Sequence, residues 1–223
     1  MNKTMPFILV LMCFISGIAK ADSFFCESDW DYMKPPLAAD EYEAKIHDIL
    51  KDITENQNYY NVPEQDARMY RILAESVNAQ NIVEIGTSTG YSTIWFGLAL
   101  KQTGGKLTTF EIDPERSAIA RENFKRAEMN DIITLIEGDA HEEVLKLSEP
   151  IDILFLDADK KGYIDYLNKL LPLVREGGLI IGDNIMTDLA DPVYVEAITT
   201  NPALETVVIA GVAYTIKKRS IKN

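Results

Sequence analysis

Asn81-Ile82-Val83-Glu84-Ile85-Gly86-Thr87-Ser88-Thr89-Gly90-Tyr91-Ser92 is the stretch on which the reading of this chain turns. Ile82, Val83 and Ile85 form a short apolar run that reads as a buried strand. Gly86 and Gly90 bracket a tight turn that opens into an apolar helix over Thr93 to Leu100. Gly-x-x-x-Gly after a strand lets backbone approach a ligand where a side chain would block it, and the helix start behind it offers free N–H groups. Glu84 is the odd residue, because a carboxylate two positions before the first glycine repels a pyrophosphate. The turn therefore suits a ligand of cationic or hydroxyl character better than a dinucleotide.

Outward from this stretch the pattern alternates. Expected strands are Lys106 to Glu111, Ile132 to Glu137, Ile151 to Asp157 and Gly178 to Gly182, with helices at Pro114 to Ala127, His141 to Leu147 and Tyr163 to Val174. Such alternation predicts an α/β fold with a mostly parallel, doubly wound sheet. Leu204 to Ile209 and Val212 to Lys217 flank Ala210-Gly211 and read as a C-terminal antiparallel hairpin, making seven strands in all. Upstream, Tyr42, Ile46, Ile49, Leu50 and Ile53 share one helical face, and Met69, Ile72, Leu73, Ser76 and Val77 share another. Between these helices the turn Asn58 to Pro63 is placed over the ligand side of the sheet.

The 223 residues fit one domain, and the formal charge of −13 argues against nucleic acid as a partner, since phosphate binding needs clustered Lys and Arg. Residues 1 to 21 combine Lys3, the apolar run Phe7 to Ile18 and the small-x-small site Ala19-Lys20-Ala21, which reads as a secretory signal peptide. The expected location is thus secreted or periplasmic, with no stable membrane insertion; an uncleaved segment would instead leave the chain membrane-anchored. Cleavage removes Cys13 and leaves Cys26 as the one cysteine, so no internal disulfide forms. Residues 22–39 are read as a leader, and 40–223 as one domain, with a helical cap over 40–80 and the α/β core over 81–223.

In an open parallel sheet, ligands bind beyond the carboxyl ends of the strands. The polar residues ending the expected strands form a set: Gly86, Glu111, Gly138-Asp139-Ala140, Asp157-Ala158-Asp159-Lys160 and Asp183-Asn184. Glu111 lies 25 residues after Gly86, where a carboxylate accepts from both hydroxyls of a ribose. Asp139 and Ala140 are expected beside the base of the same nucleoside. His141 is read as an early helix residue, and His47 as a surface residue. Asp157, Asp183 and Asn184 are three oxygen donors suited to Mg²⁺, Ca²⁺ or Mn²⁺; read singly, Asp183 and Asn184 also fit ordinary turn formers. Lys160, three residues past Asp157, is placed to reach a substrate held there and to act as a base.

Val83 to Ser92, Glu111-Ile112-Asp113, Gly138-Asp139-Ala140, Phe155 to Lys160 and Gly182-Asp183-Asn184 together resemble the cation-dependent S-adenosylmethionine O-methyltransferases, the group of catechol and caffeoyl-coenzyme A O-methyltransferases. The resemblance implies a class I methyltransferase, Rossmann-like fold. It implies that Glu84, Gly86, Thr87 and Ser92 hold the methionine part of S-adenosylmethionine, Glu111 the ribose, and Asp139 and Ala140 the adenine. Val62, Asp157 and Asp159 would also contact the cofactor. Asp157, Asp183 and Asn184 would hold a divalent cation, with Mg²⁺ foremost, and Lys160 would be the general base. The acceptor implied is a small catechol-like molecule, and the assembly a homodimer. Ile185 to Pro192 departs from the family pattern in lacking a glycine-bearing loop. Two other readings stay open: an exported protein that binds the nucleoside without turnover, and a dinucleotide-dependent oxidoreductase, which Glu84, the glycine spacing and Asp139 disfavour.

Overall fold

A computed structural model describes residues 34–57, 59–186 and 189–220, and those from Pro35 onward form one unit. The expected signal segment, Cys13 and Cys26 lie outside the described residues. Among the described residues no helix is long and apolar enough to cross a membrane.

The chain begins with α1 (Glu41–Asn56), which starts where Asp40 accepts from the Glu43 N–H at 2.8 Å and Glu43 in turn accepts from the Ala39 N–H at 2.8 Å. This reciprocal cap satisfies donors that a helix start leaves open. The helix buries Ile46, Ile49, Leu50 and Ile53, the expected face. In α2 (Glu64–Ser76) the face is different: Ala67, Tyr70 and Ala74 are buried, while Met69 and Ile72 are exposed. Hydropathy alone favours the methionine and isoleucine, but the two alanines allow close approach to the core and Tyr70 fills the space against Phe96 and Phe155. His47 likewise is not a surface residue; its ring lies 5.8 Å from that of Trp95 and its side chain is 15% exposed.

The core alternates as expected: β1 (Asn81–Ile85), α3 (Tyr91–Thr103), β2 (Lys106–Glu111), α4 (Pro114–Arg126), β3 (Ile133–Glu137), the short α5 (Ala140–Glu143), β4 (Ile151–Leu156), α6 (Tyr163–Leu170), β5 (Val174–Gly182), α7 (Pro192–Thr200), β6 (Leu204–Ile209) and β7 (Val212–Lys217). Two boundaries move. The helix expected to reach Val174 stops at Leu170, because Pro172 lacks the N–H a continuing helix needs. Val174 instead opens β5 beside Ile151, and the register shifts before Ile153 pairs with Leu179. The helix expected at His141 to Leu147 is one α turn followed by a 3₁₀ turn over Val144–Lys146.

The sheet order is β3-β2-β1-β4-β5-β7-β6, parallel except that β7 runs antiparallel to both β5 and β6. The chain moves outward from β1 to β3 and then crosses back to β4, so β1 and β4 flank the switch point where such folds bind ligands. Alternation along each strand feeds two cores. Ile82, Ile153, Phe155 and Ile181 face α1 to α4, whereas Val83, Ile85, Leu154 and Ile180 face α5 to α7.

At the switch point Gly86 adopts φ +99°, and a Cβ there would lie 2.1 Å from the Asp157 carbonyl oxygen. Neither the left-handed backbone nor the contact admits a side chain. Gly86→Ala is expected to lower the unfolding free energy by roughly 2 kcal/mol or more, measured as a shift of the urea midpoint at unchanged slope.

Candidate active site

A cleft of about 520 Å³ opens at the carboxyl ends of β1, β2, β3 and β4. Of the residues singled out from sequence, Gly86, Glu111, Asp139, Ala140, Asp157, Asp159, Lys160 and Asn184 line it. Val62, Glu84, Thr87, Ser92 and Asp183 do not; each is buried.

Glu111 ends β2 and is 6% exposed. One of its carboxylate oxygens accepts from the Ser88 N–H at 2.7 Å and the other from the Asp113 N–H at 3.0 Å. Both oxygens are thus aimed and held by backbone, and each keeps a lone pair for a further donor, the arrangement a vicinal diol needs. Ser88 Oγ donates to the Tyr59 carbonyl at 2.6 Å and so pins the turn between α1 and α2 over the cleft. That turn was expected there, but the wall it builds was not: Tyr59 and Tyr60 line the cleft, and the Arg116 guanidinium sits 5.9 Å from the Tyr60 ring. The aromatic pair Asn-Tyr-Tyr-Asn in a loop was the available signal.

Asp139 accepts from the His141 N–H at 2.8 Å and so caps α5 while lining the cleft. His141 is the early helix residue expected, and its ring stacks on Tyr166 at 4.3 Å while Nδ1 meets Asp165 at 2.6 Å. Burial pulls His141 down, but Asp165 and Asp159 outweigh it and hold the imidazole above its usual value. Sequence reasoning missed Tyr166 as a cleft residue; its position on the apolar face of α6 concealed a hydroxyl that donates to Asp159 at 2.9 Å.

The third group lies where β4 and β5 end side by side. Lys160 Nζ donates to Asp157 at 2.9 Å and to the Tyr163 hydroxyl at 2.8 Å, and Tyr163 in turn donates to the Leu156 carbonyl at 2.7 Å. Asp183, 5% exposed, is pushed up to about 7 by burial and then by the charge of Asp157. Asn184 turns into the cleft with φ +57°. Two carboxylates that repel each other beside an amide oxygen form an all-oxygen set, and such a set fits a hard divalent cation. Among the described residues no three His, Cys, Asp or Glu side chains gather as a metal cage, so the amide of Asn184 is needed to complete the set.

Glu84 belongs to the layer beneath. It is fully buried, accepting from Ser92 Oγ at 2.7 Å and Thr93 Oγ1 at 2.5 Å at the start of α3. Burial pushes it up to about 7, against the pull of the Thr93 and Ser92 hydroxyls.

A seven-stranded α/β sheet with a backbone-held carboxylate after β2 and an acidic set at β4 and β5 defines a fold of the doubly wound class. Residues 38–193 match the family model described as O-methyltransferase, and the chain belongs to that family. It is 38% identical over 131 residues to a catechol O-methyltransferase of Niastella koreensis, a match covering 57% of this chain and 59% of that protein. It is 32% identical over 126 residues to a catechol O-methyltransferase of Mycobacterium tuberculosis, covering 56% of this chain and 57% of that one. The matched stretch therefore spans less than two thirds of either relative. The crystal structure of an O-methyltransferase from Bacillus cereus in complex with SAH is similar with a TM-score of 0.69 at 28% identity, covering 84% of this chain and 94% of that one.

Because the folded state raises Glu84 from 4.5 to about 7, it holds a proton that the unfolded chain releases between those values. This contribution to stability is complete below pH 4.5 and is lost as pH rises through 7. Glu84→Gln should flatten that part of the profile, removing a difference on the order of 3 kcal/mol between the two pH limits, read by urea unfolding of both proteins at pH 4.5 and 8.

Proposed function

We propose that this chain is an S-adenosylmethionine-dependent, divalent-metal-dependent O-methyltransferase acting on a hydroxyl of a catechol-like small molecule. The observation that carries the reading is the convergence, in one cleft, of the backbone-held carboxylate Glu111 with Asp157, Lys160 and Asn184. Family membership and the similarity to an O-methyltransferase crystallised with SAH support it.

In this reading Glu111 accepts from the ribose hydroxyls, and Asp139, Ala140 and His141 border the adenine. Tyr59 and Tyr60 cover the donor from the cap side and exclude water from the methyl group. The acidic surroundings favour a sulfonium over a phosphate-bearing cofactor. Asp157, Asp183 and Asn184 would hold the cation, which supplies Lewis acidity that lowers the pKa of a catechol hydroxyl. Lys160 then gives up Asp157 as its counter-ion, releases its proton to solvent and turns a neutral Nζ to the acceptor. It takes the hydroxyl proton as the oxygen forms its bond to the methyl carbon and the carbon–sulfur bond breaks. Tyr163, fixed by the Leu156 carbonyl, keeps Nζ at the edge of β4 throughout. Holding nucleophile and methyl in line is where the protein gains most of its rate.

Methyl transfer from labelled S-adenosylmethionine to catechol tests this directly. Transfer should require Mg²⁺ and stop with EDTA, and Lys160→Ala should lower kcat by about a hundredfold or more. Glu111→Gln places an amide donor against one of two backbone donors, and the dissociation constant for S-adenosylmethionine should rise by about tenfold to a hundredfold. Donor binding without transfer to any catechol would leave a binding protein and sink the enzymatic reading.

A further inference from the structure

His141 lines the cleft but takes no part in the proton and methyl transfers above. It stands at the start of α5, after β3, with Asp139 and Glu142 beside it on its own turn. From the loop after β4, Asp159 brings a carboxylate oxygen to 3.5 Å from its Nε2, and from α6 Asp165 brings one to 2.6 Å from its Nδ1. Both ring nitrogens therefore face carboxylates, and only the doubly protonated imidazolium has a proton for each. Tyr166 of α6 stacks on the ring at 4.3 Å and offers it an aromatic face that favours a cation.

The surroundings are shaped to this bridge. Gly162 closes the short turn Lys160–Gly162, and a Cβ there would lie 2.3 Å from Asp159 Oδ2 and 2.7 Å from His141 Cε1. Any side chain at 162 would push the two groups apart. Lys169, also on α6, donates to Asp165 at 2.5 Å and to the His141 carbonyl at 2.9 Å, which fixes the second carboxylate and the backbone that carries the ring. Tyr166 donates to the other oxygen of Asp159 at 2.9 Å. Of the lysines in the turn, Lys160 is held by Asp157 and Lys161 is exposed.

Loss of one proton opens the bridge at one end. Asp165 is the nearer partner and keeps the remaining proton on Nδ1, so the Nε2 lone pair then faces the Asp159 carboxylate. Asp159 is left with the Tyr166 hydroxyl, and the loop bearing Asp157 and Lys160 is no longer tied to the turn bearing Asp139 and Ala140.

We propose that His141 is a positioning residue for the methyl donor: as imidazolium it clasps Asp159 and ties together two loops that border the nucleoside, so donor affinity falls when the ring is neutral. This rests on the S-adenosylmethionine reading above. Because Asp165 and Asp159 hold the ring protonated beyond its usual range, the fall comes on the alkaline side of 6.5.

S-adenosylhomocysteine is the probe, because it lacks the sulfonium whose charge responds to a neighbouring imidazolium by itself. Calorimetric titration into the full chain, without metal or acceptor, should give a wild-type dissociation constant that rises about tenfold between about pH 6 and 9 relative to His141→Gln. Taking that ratio removes the common contributions of Glu84 and Asp183, both pushed up to about 7. Gly162→Ala keeps both charged groups but forces them apart, and should weaken binding at the acid end and follow the His141→Gln slope. Reciprocally, saturating S-adenosylhomocysteine should raise the His141 titration midpoint in the wild-type chain by about one pH unit, followed by NMR of the imidazole. The chain has two histidines, and burial pulls His47 the opposite way, so their titrations are told apart. Equal slopes in the wild type and His141→Gln, or a His141 midpoint that saturation leaves unmoved, overturn the clasp and leave the methyltransferase reading standing. No binding of S-adenosylhomocysteine to the wild-type chain at any pH overturns both.

Discussion

The end of β1 passes so close to the end of β4 that the position at Gly86 has no room for a Cβ. This contact sets the geometry of everything above it. It brings the glycine turn against the Asp157 backbone, and the Gly86 and Thr87 N–H groups donate to the Phe110 carbonyl at 3.0 and 3.1 Å. Strands β4, β1 and β2 are thereby locked at their carboxyl ends. A ligand lying across the turn must meet Glu111 on one flank and Asp157 on the other. The crossover from β3 back to β4 creates the gap, and the glycine lets it close to the width of a backbone.

Negative charge is the second organising feature. Glu84, Glu111, Asp157 and Asp183 all lie at or beneath the same edge, in a chain whose formal charge is −13. The fold holds them by different means. Glu84 is kept by hydroxyls from α3, Glu111 by backbone donors and Asp157 by Lys160, whereas Asp183 has burial and repulsion acting on it together. A site assembled this way binds positive charge with little reorganisation, because the dipoles and anions are already aimed. A positively charged ligand in the cleft would draw on that one property.

Much of this was legible in the residues. Strands end in polar residues, strand and helix alternate along the chain, and the last two strands flank Ala210-Gly211, all local properties of side-chain type and spacing. The cleft residues Gly86, Glu111, Asp139, Asp157, Asp159, Lys160 and Asn184 were visible as strand-end punctuation for that reason. Less legible were positions whose surroundings come from distant chain. Met69 and Ile72 look like core and are exposed, because Ala67 and Ala74 fit the contact with α3 more closely. His47 looks like surface and packs on Trp95. Pro172 moved a boundary by several residues, since the strand that followed could recruit Val174 through a shift in register with β4.

By itself the sequence determined the alternation of strand and helix, the antiparallel hairpin at the end and the set of acids at the strand termini, since periodicity, glycine and charge act over a few residues. Tertiary structure alone decided depth and company. It placed Glu84 beneath the cleft rather than in it and turned Tyr59 and Tyr60 over the opening. Those outcomes depend on strand register and helix packing between residues far apart in the chain, and no local pattern encodes them.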